Sequence, residues 1–488
     1  MRIPNTPLLI IQKIIKNHLS RNAEKMVILA VLVEFLIAIS YHRGMENIKT
    51  NLPKAFKDSM REILKEEYDA FERSYDGPRY VGLRFNPLKS TREEFLSVVP
   101  FKLESVDWAR EGFYYDPEER PGKSALHEAG AFYIQEPSAM SAVEVLDPQP
   151  GDRVLDMCAA PGGKSTQIAG RLIGRGLLIC NEYVKDRARI LSSNIERMGV
   201  TNACVINESP DRVSARFPAF FDKILVDAPC SGEGMFKKEE NALGEWSPEN
   251  VKMCHERQLM ILDEAAKCLK AGGIITYSTC TFNKLENEGT VDEFLKAHPE
   301  FTLEKTERFW PHKIKGEGHF VARFKMAGEP VVKDSKPLTL TGSEAKQLKE
   351  LREFLLNDLK LTKACVDTLT DGRRIETFGD NIYLLPAGMD SLKGLKVERP
   401  GLWVATVKKN RLEPSHSLAL ALKPSDVSTS VAISDSDADR YIEGNTLTCD
   451  PSVKGWVLLT VRGFSLSFGK ASGGVIKNHY PKGLRRQQ

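Results

Sequence analysis

The chain has 488 residues, 41% hydrophobic and 28% charged, which fits soluble globular domains, two or three of them at ~100–200 residues each. Its net charge is +3, but residues 1–44 carry six Lys/Arg against two acids and the remainder 63 against 64. That balance excludes a global basic field, so any contact with nucleic acid has to use local patches. Nine cysteines occur singly, with no C-x-x-C pair or His/Cys cluster; this argues against a zinc site or a disulfide framework and for free thiols in a reducing cytoplasm.

Residues 26–41 are strongly apolar and follow a basic stretch. The run is shorter than the ~20 apolar residues of a membrane helix and carries Glu34, and His42-Arg43-Gly44 offers no small-residue cleavage site. Residues 1–44 therefore read as upstream sequence translated ahead of a start at Met45, with an interfacial helix and a membrane anchor as the alternatives. Residues 52–74 have helical periodicity, with Phe56, Met60, Ile63 and Leu64 among charges, and 80–86 reads as a strand. Residues 45–145 as a whole look like an accessory unit of short strands and turns.

From Gly151 the pattern changes to strands at 153–157, 177–181, 203–206, 223–226 and 274–277, alternating with helices at 164–173, 186–198, 248–269 and 286–297. Gly199 and Ala271-Gly272-Gly273 supply helix stops. Such alternation predicts an α/β fold over 146–326, a mostly parallel sheet with helices on both faces. A linker follows at 326–341, then a helix at 343–358 within an α+β module at 340–424. The polar, acidic stretch 425–439 separates a last, strand-rich module at 440–488, where 451–488 holds seven Lys/Arg and no acid.

Three features of the α/β region carry chemistry. The loop Ala159-Ala160-Pro161-Gly162-Gly163-Lys164 matches neither G-x-G-x-x-G nor P-loop spacing. It does join a tight glycine turn to a helix N-terminus, which lets backbone approach a ligand and favours its negative groups. Glu182, ending the next strand, can accept hydrogen bonds from a ribose as in dinucleotide folds. Alone, the loop is equally a structural turn and Glu182 a surface glutamate. Cys230 and Cys280 each follow a short apolar strand and precede a flexible segment, so adjacent strands would set both thiols at one rim beside that loop, poised for covalent chemistry on an electrophile. Cys180, Cys204, Cys254, Cys268, Cys365 and Cys449 read as buried hydrophobes, and Cys158 borders the loop.

The segments LDMCAAPGGKSTQIA, VDAPCSGEGMF and YSTCTFNKLENE, with Arg84-Phe85-Asn86 and Gln135-Glu136-Pro137-Ser138 upstream, resemble the motifs of RNA 5-methylcytosine methyltransferases of the Nop/Sun type across residues 80–300. The modules after 330 are more loosely similar to those of the ribosomal small-subunit methyltransferase F branch, which carry a PUA-like RNA-binding domain. The resemblance implies a Rossmann-like methyltransferase domain, S-adenosyl-L-methionine as cofactor and 16S ribosomal RNA as substrate. It also implies RNA contacts by the 45–145 unit and the 440–488 module. With it go no metal, no stable membrane partner, and a monomer in the cytoplasm.

Carbon 5 of cytosine is too weakly nucleophilic to take a methyl group directly, but a thiolate added at carbon 6 makes the ring enamine-like. The resemblance gives that attack to Cys280 and the release step to Cys230. It puts Asp227 at the ring edge and against the cofactor; Cys158, Ala159, Ala160, Pro161, Gly162, Gly163 and Lys164 surround the methionine part, Glu182 meets the ribose and Arg187 the adenosine. Lys164 either orients Asp227 or is a solvated helix lysine. The family's aspartate after the third strand is absent: the run is Ile206-Asn207-Glu208, which leaves the Asn207 amide to substitute. The target base must leave its stack. Lys237, Lys238 and the 451–488 tail are candidate phosphate holders, while Trp246 and Phe236 either stack on a base or belong to the core. Two other readings remain: a DNA cytosine-5 methyltransferase, which would attack with the proline-cysteine thiol and lacks the Thr279-Cys280 motif, and a non-catalytic ribosome-assembly factor, whose mark would be a lost thiol.

Overall fold

The computed structural model describes residues 52–238, 240–329, 338–389, 391–409 and 411–486. The expectation for residues 1–44 lies outside them, as does the centre of the expected linker. The chain divides between Pro78 and Arg79 into two compact units.

In the first unit, α1 (Lys54–Leu64) and α2 (Tyr68–Ser74) replace the single helix expected over 52–74. Lys65 between them has a φ of 50°, outside the range any α-helical residue adopts. Phe56 and Phe71 meet across the break with ring centroids 6.2 Å apart.

The second unit opens with β1 (Gly82–Phe85), β2 (Leu103–Ser105), β3 (Gly112–Tyr115) and β4 (Phe132–Ile134), an antiparallel sheet in the order β2-β3-β1-β4. β5 (Arg153–Asp156), β6 (Leu177–Asn181), β7 (Ala203–Ile206), β8 (Phe221–Asp227) and β9 (Leu269–Thr279) are the parallel strands of the central sheet. Alternate residues point to opposite faces. Leu155, Ile179, Ile224 and Ile275 therefore enter one core layer, and Val154, Leu178, Leu225 and Ile274 the other. Helices α3 (Gly163–Leu172), α4 (Lys185–Arg197), α5 (Pro248–Cys268) and α6 (Thr290–Ala297) connect the strands.

Three antiparallel strands complete this sheet, and none was expected. β10 (Phe301–Phe309) and β11 (His319–Met326) extend it beyond β9. In the C-terminal module, β12 (Ile375–Phe378), β13 (Asn381–Leu384), β15 (Leu402–Lys408) and β16 (Arg411–Pro414) form a sheet of their own. β14 (Val397–Arg399) leaves it to pair with β7, giving the order β10-β11-β9-β8-β5-β6-β7-β14. Two boundaries also shift. The helix expected to stop at Ala271-Gly272-Gly273 stops at Cys268; those residues enter β9, where the register jumps from Phe221↔Leu269 to Lys223↔Ile274. The helix expected from Glu286 starts as a π-helical turn, Leu285–Gly289, before α6.

The stretch 425–439 is not a separator: β17 (Ser430–Ile433) lies within it and runs parallel to β19 (Gly455–Val461). With β18 (Leu447–Thr448), β20 (Phe464–Ser472) and β21 (Val475–Asn478) they form a five-stranded sheet. β19 is buried on both faces, which explains its unbroken apolar run. Val457, Leu459 and Val461 join a core with Phe85, Phe95, Phe113 and Phe132, whereas Trp456 and Leu458 join the core of the preceding module. The end of the chain thus packs on the sheet that opens the second unit. Among the described residues, no helix is long and apolar enough to cross a membrane. The expected Rossmann-like α/β sheet with strand-rich C-terminal modules is the observed architecture.

Candidate active site

β5 has β6 on one side and β8 on the other, so strand order reverses there, and the crevice at the carboxyl ends of such strands is where open α/β sheets bind ligands. A cavity of about 490 Å3 opens at that point, lined by Cys158–Pro161, Gly163 and Lys164 of the first βα turn, by Arg187, by Asp156 and Asp227 from the ends of β5 and β8, and by Cys280. Gly162 is the one loop residue behind the wall. With φ at 111°, it sits where a Cβ would come 3.1 Å from Leu191 Cδ1, so glycine lets α3 start close against α4.

The upstream motifs hold this turn from behind. Arg84 is 1% exposed and donates from Nε to Gln135 Oε1 at 2.6 Å and from Nη2 to the carbonyl oxygen of Gly163 at 2.5 Å. The Asp156 carboxyl accepts from Ser165 Oγ at 2.6 Å; its Oδ1 is buried with no partner among the described residues. Burial pushes its carboxyl up to about 7, and the nearby Asp227 adds to the rise against the bond from Ser165. Sequence reasoning passed over Asp156, although it stands inside the LDMC segment.

Glu182 lies off the cavity wall. One carboxylate oxygen accepts from the Val184 N–H at 2.8 Å and the other faces Arg187 Nη1 at 3.6 Å. Arg187 in turn donates to the Ala160 carbonyl at 3.0 Å. Asn207 donates its amide to the carbonyls of Glu182 and Tyr183 at 2.6 and 2.8 Å, so it fixes the turn that carries Glu182.

The opposite end is made of side chains. Asp227 faces Lys164 Nζ at 2.8 Å and accepts from Ser278 Oγ at 2.8 Å. Burial raises its carboxyl, but Lys164 and the Ser278 bond outweigh it and hold the group below the usual range, hence ionised. Lys164 is 10% exposed and paired with Asp227 rather than solvated on the helix surface. Cys230 and Cys280 end adjacent parallel strands, and their sulfurs are 3.3 Å apart. Cys280 lines the cavity and Cys230 does not, although both are partly exposed. The hydrogen bond to Cys280, followed by burial, holds the Cys230 thiol well above its ordinary range, so it keeps its proton at neutral pH.

A buried polar network positions the two cysteine loops. Glu233 accepts from the N–H groups of Phe282 and Asn283 at 2.6 and 2.8 Å, Glu286 accepts from the Ser231 N–H at 2.9 Å, and the Gly234 N–H donates to the Cys280 carbonyl at 2.8 Å. Asn283 bonds both glutamates. These bonds tie the two loops together, and the π-helical turn brings Glu286 into reach.

Sequence reasoning also missed His319, the first residue of β11, which lines the cavity with Nε2 3.9 Å from Asp227 Oδ1. Burial, then Lys164, holds its imidazole down to about 3, so it is neutral. The remaining expectations divide. Phe236 is buried, and Trp246 donates to Glu233 at 3.0 Å; neither lines the cavity. Lys238 lines it, while Lys237 is largely buried, 3.8 Å from Glu317. In the tail, Arg462 and Arg486 pair with Asp435 and Asp439 of the same module, and Lys454, Lys477 and Lys482 are exposed.

Comparison with known proteins gives concordant matches. Residues 143–325 match the family profile described as 16S rRNA methyltransferase RsmB/F. Residues 52–137 match the N-terminal domain of 16S rRNA methyltransferase RsmF, 354–422 the RsmF rRNA methyltransferase first C-terminal domain, and 428–486 the methyltransferase RsmF PUA domain. Ribosomal RNA small subunit methyltransferase F of Aliivibrio salmonicida is 31% identical over 470 residues, covering 89% of this chain and 98% of the relative. Its namesake in Salmonella schwarzengrund is 33% identical over 475 residues, covering 89% and 96%. The crystal structure of a methyltransferase homologue from Pyrococcus horikoshii aligns with a TM-score of 0.51 at 27% identity, covering 56% of this chain and 95% of that one.

Proposed function

The chain belongs to the ribosomal RNA small subunit methyltransferase F family, and from that premise we propose that it moves a methyl group from S-adenosylmethionine to carbon 5 of a cytosine in small-subunit ribosomal RNA. The observation that carries the chemistry is the pair of thiols, Cys280 on the cavity wall and Cys230 3.3 Å from it, beside an ionised Asp227.

The residues present fit the cofactor. The unpartnered Asp156 Oδ1 suits its ammonium group, and the main chain of 158–163 at the start of α3 suits its carboxylate. Arg187 lines the adenosine side, with Glu182 held behind it. When bound, S-adenosylmethionine supplies an electrophilic methyl group.

The protein's own groups do the rest. Cys280 sulfur, as thiolate, bonds to carbon 6, and the ring electrons are released toward carbon 5 and the N3 side. Asp227, held by Lys164 and Ser278, accepts from the 4-amino group at the ring edge. Once carbon 5 has taken the methyl, Cys230 gives up its own thiol proton to solvent and, as thiolate, removes the carbon 5 proton; the electron pair re-forms the ring double bond, and the bond from carbon 6 to Cys280 breaks, returning the Cys280 thiolate. Formation of the carbon–sulfur bond takes the charge off Cys280, which relieves the main cause holding the proton on Cys230. The place of Cys280 on the cavity wall supports its attack over the DNA-enzyme alternative, in which the proline-cysteine thiol attacks.

We further infer that the protein acts as a monomer in the cytoplasm, the compartment where a ribosomal RNA substrate is met. The module at 428–486, matching a PUA profile, offers Lys454, Lys477 and Lys482 to RNA phosphates. Bisulfite mapping of small-subunit ribosomal RNA from cells with and without the gene tests the reading. One methylated cytosine should disappear without it; identical maps would count against the proposal.

A further inference from the structure

Neither ring nitrogen of His319 has a hydrogen-bond partner among the described residues, although the side chain is 2% exposed. Its place is tightly determined. The preceding Gly318, with φ at 108°, packs where a Cβ would fall 2.4 Å from the Phe282 ring of the Cys280 loop, and its N–H donates to Ser138 Oγ at 3.1 Å. The backbone on either side is therefore fixed, and the imidazole is presented to the cavity beside Asp227 rather than to the core. A neutral imidazole has one N–H donor and one acceptor nitrogen, and leaving a buried polar group unpaired is costly. A ligand that offers the ring a partner relieves that cost.

We propose that His319 donates a hydrogen bond to the polar edge of the target base next to Asp227, and that the two residues together select cytosine over uracil. The inference rests on the cytosine reading above and adds a residue that contacts the base. Ionised Asp227 can only accept, so it must face a donor; His319 supplies an N–H, which must face an acceptor. Neighbouring positions of cytosine offer that order, the 4-amino donor beside the N3 acceptor. Uracil reverses it, setting O4 lone pairs against the carboxylate and an N3–H against the imidazole N–H. As Cys280 bonds to carbon 6, electron density rises on N3, so the bond from His319 strengthens as the reaction proceeds. The low basicity of the ring keeps it a hydrogen-bond donor and not a source of protons.

The test uses unmodified small-subunit ribosomal RNA transcripts carrying cytidine or uridine at the mapped position, with labelled S-adenosylmethionine and the full-length enzyme. Wild-type protein should methylate the cytidine RNA with a preference of about 10²–10⁴-fold. His319→Phe should lose about 10–100-fold in kcat/KM on cytidine RNA and most of the preference, with an unchanged KM for the cofactor. His319→Gln, which keeps an N–H donor, should fall between the two. A Phe variant with wild-type rate and preference overturns the proposal while leaving the cytosine reading intact. Wild-type enzyme that methylates neither RNA sinks the reading and the proposal together. If the Phe variant does not fold, His319→Leu takes its place, with the same loss expected and the same wild-type rate and preference overturning the proposal.

Discussion

At one end of the cavity the wall is built largely from one stretch of chain, the 158–164 turn clamped by Arg84; at the other it is Asp227, Cys280 and His319, delivered by three separate strands. The two ends face different demands. A tight turn at a helix start recognises by close approach and by its fixed polarity. A side-chain wall has to hold protonation states: Asp227 ionised by Lys164, His319 neutral through burial, Cys230 protonated against Cys280. That is why the buried carboxylates Glu233 and Glu286 and the amide of Asn283 crowd behind the base end.

Substitutions at the base end should therefore lower the rate while cofactor affinity stays put. The largest effect short of losing a thiol is expected for Asp227→Asn, which removes the ionised acceptor and leaves Lys164 without its counter-charge. Its kcat should drop by about 10²–10⁴-fold, with the Kd for S-adenosylmethionine, measured by calorimetry, changed less than about threefold on the same grounds. An affinity loss as large as the rate loss would erase the distinction between the ends.

The cofactor end should show the opposite pattern, and more mildly. The Asp156 carboxyl is raised to about 7 by burial, so it is mostly protonated below that pH in the free protein, whereas a cationic ammonium binds its ionised form. Cofactor affinity should accordingly rise from pH 6 to 7.5, by up to about tenfold per pH unit on the acidic side. Asp156→Asn should flatten that profile and weaken binding at pH 7.5. A wild-type profile that is already flat would assign the ammonium to another group.

The same contrast sets what could be read from the sequence. The cofactor end is nearly one continuous segment, and its glycine turn and helix start were legible, whereas Asp156 at the end of β5 was passed over because it read as one more residue of a buried strand. The two thiols were legible as a pair because the apolar stretches before them read as strands, and β8 and β9 are neighbours. His319 was not legible. It stands 39 positions beyond Cys280, on a strand whose partner, β10, is an exposed, charged edge with no apolar alternation. β14 was hidden for a related reason: three residues carry no periodicity, and their pairing with β7 spans some 190 positions of chain. Arg399, which ends β14, is buried against Glu196 and Ser192 of α4, a long-range ion pair that no local pattern announces. The break at Lys65 and the strand at 430–433 failed for the opposite reason, since polar composition there suggested continuity in one case and a spacer in the other.

The central claim is the division of labour between the thiols. Cys230→Ala protein, incubated with small-subunit ribosomal RNA and S-adenosylmethionine and run on a denaturing gel, should retain a covalent protein–RNA complex, because attack proceeds and release does not. The complex should vanish when Cys280 is also replaced by Ala. No complex with Cys230→Ala, or one that survives loss of Cys280, would contradict the assignment.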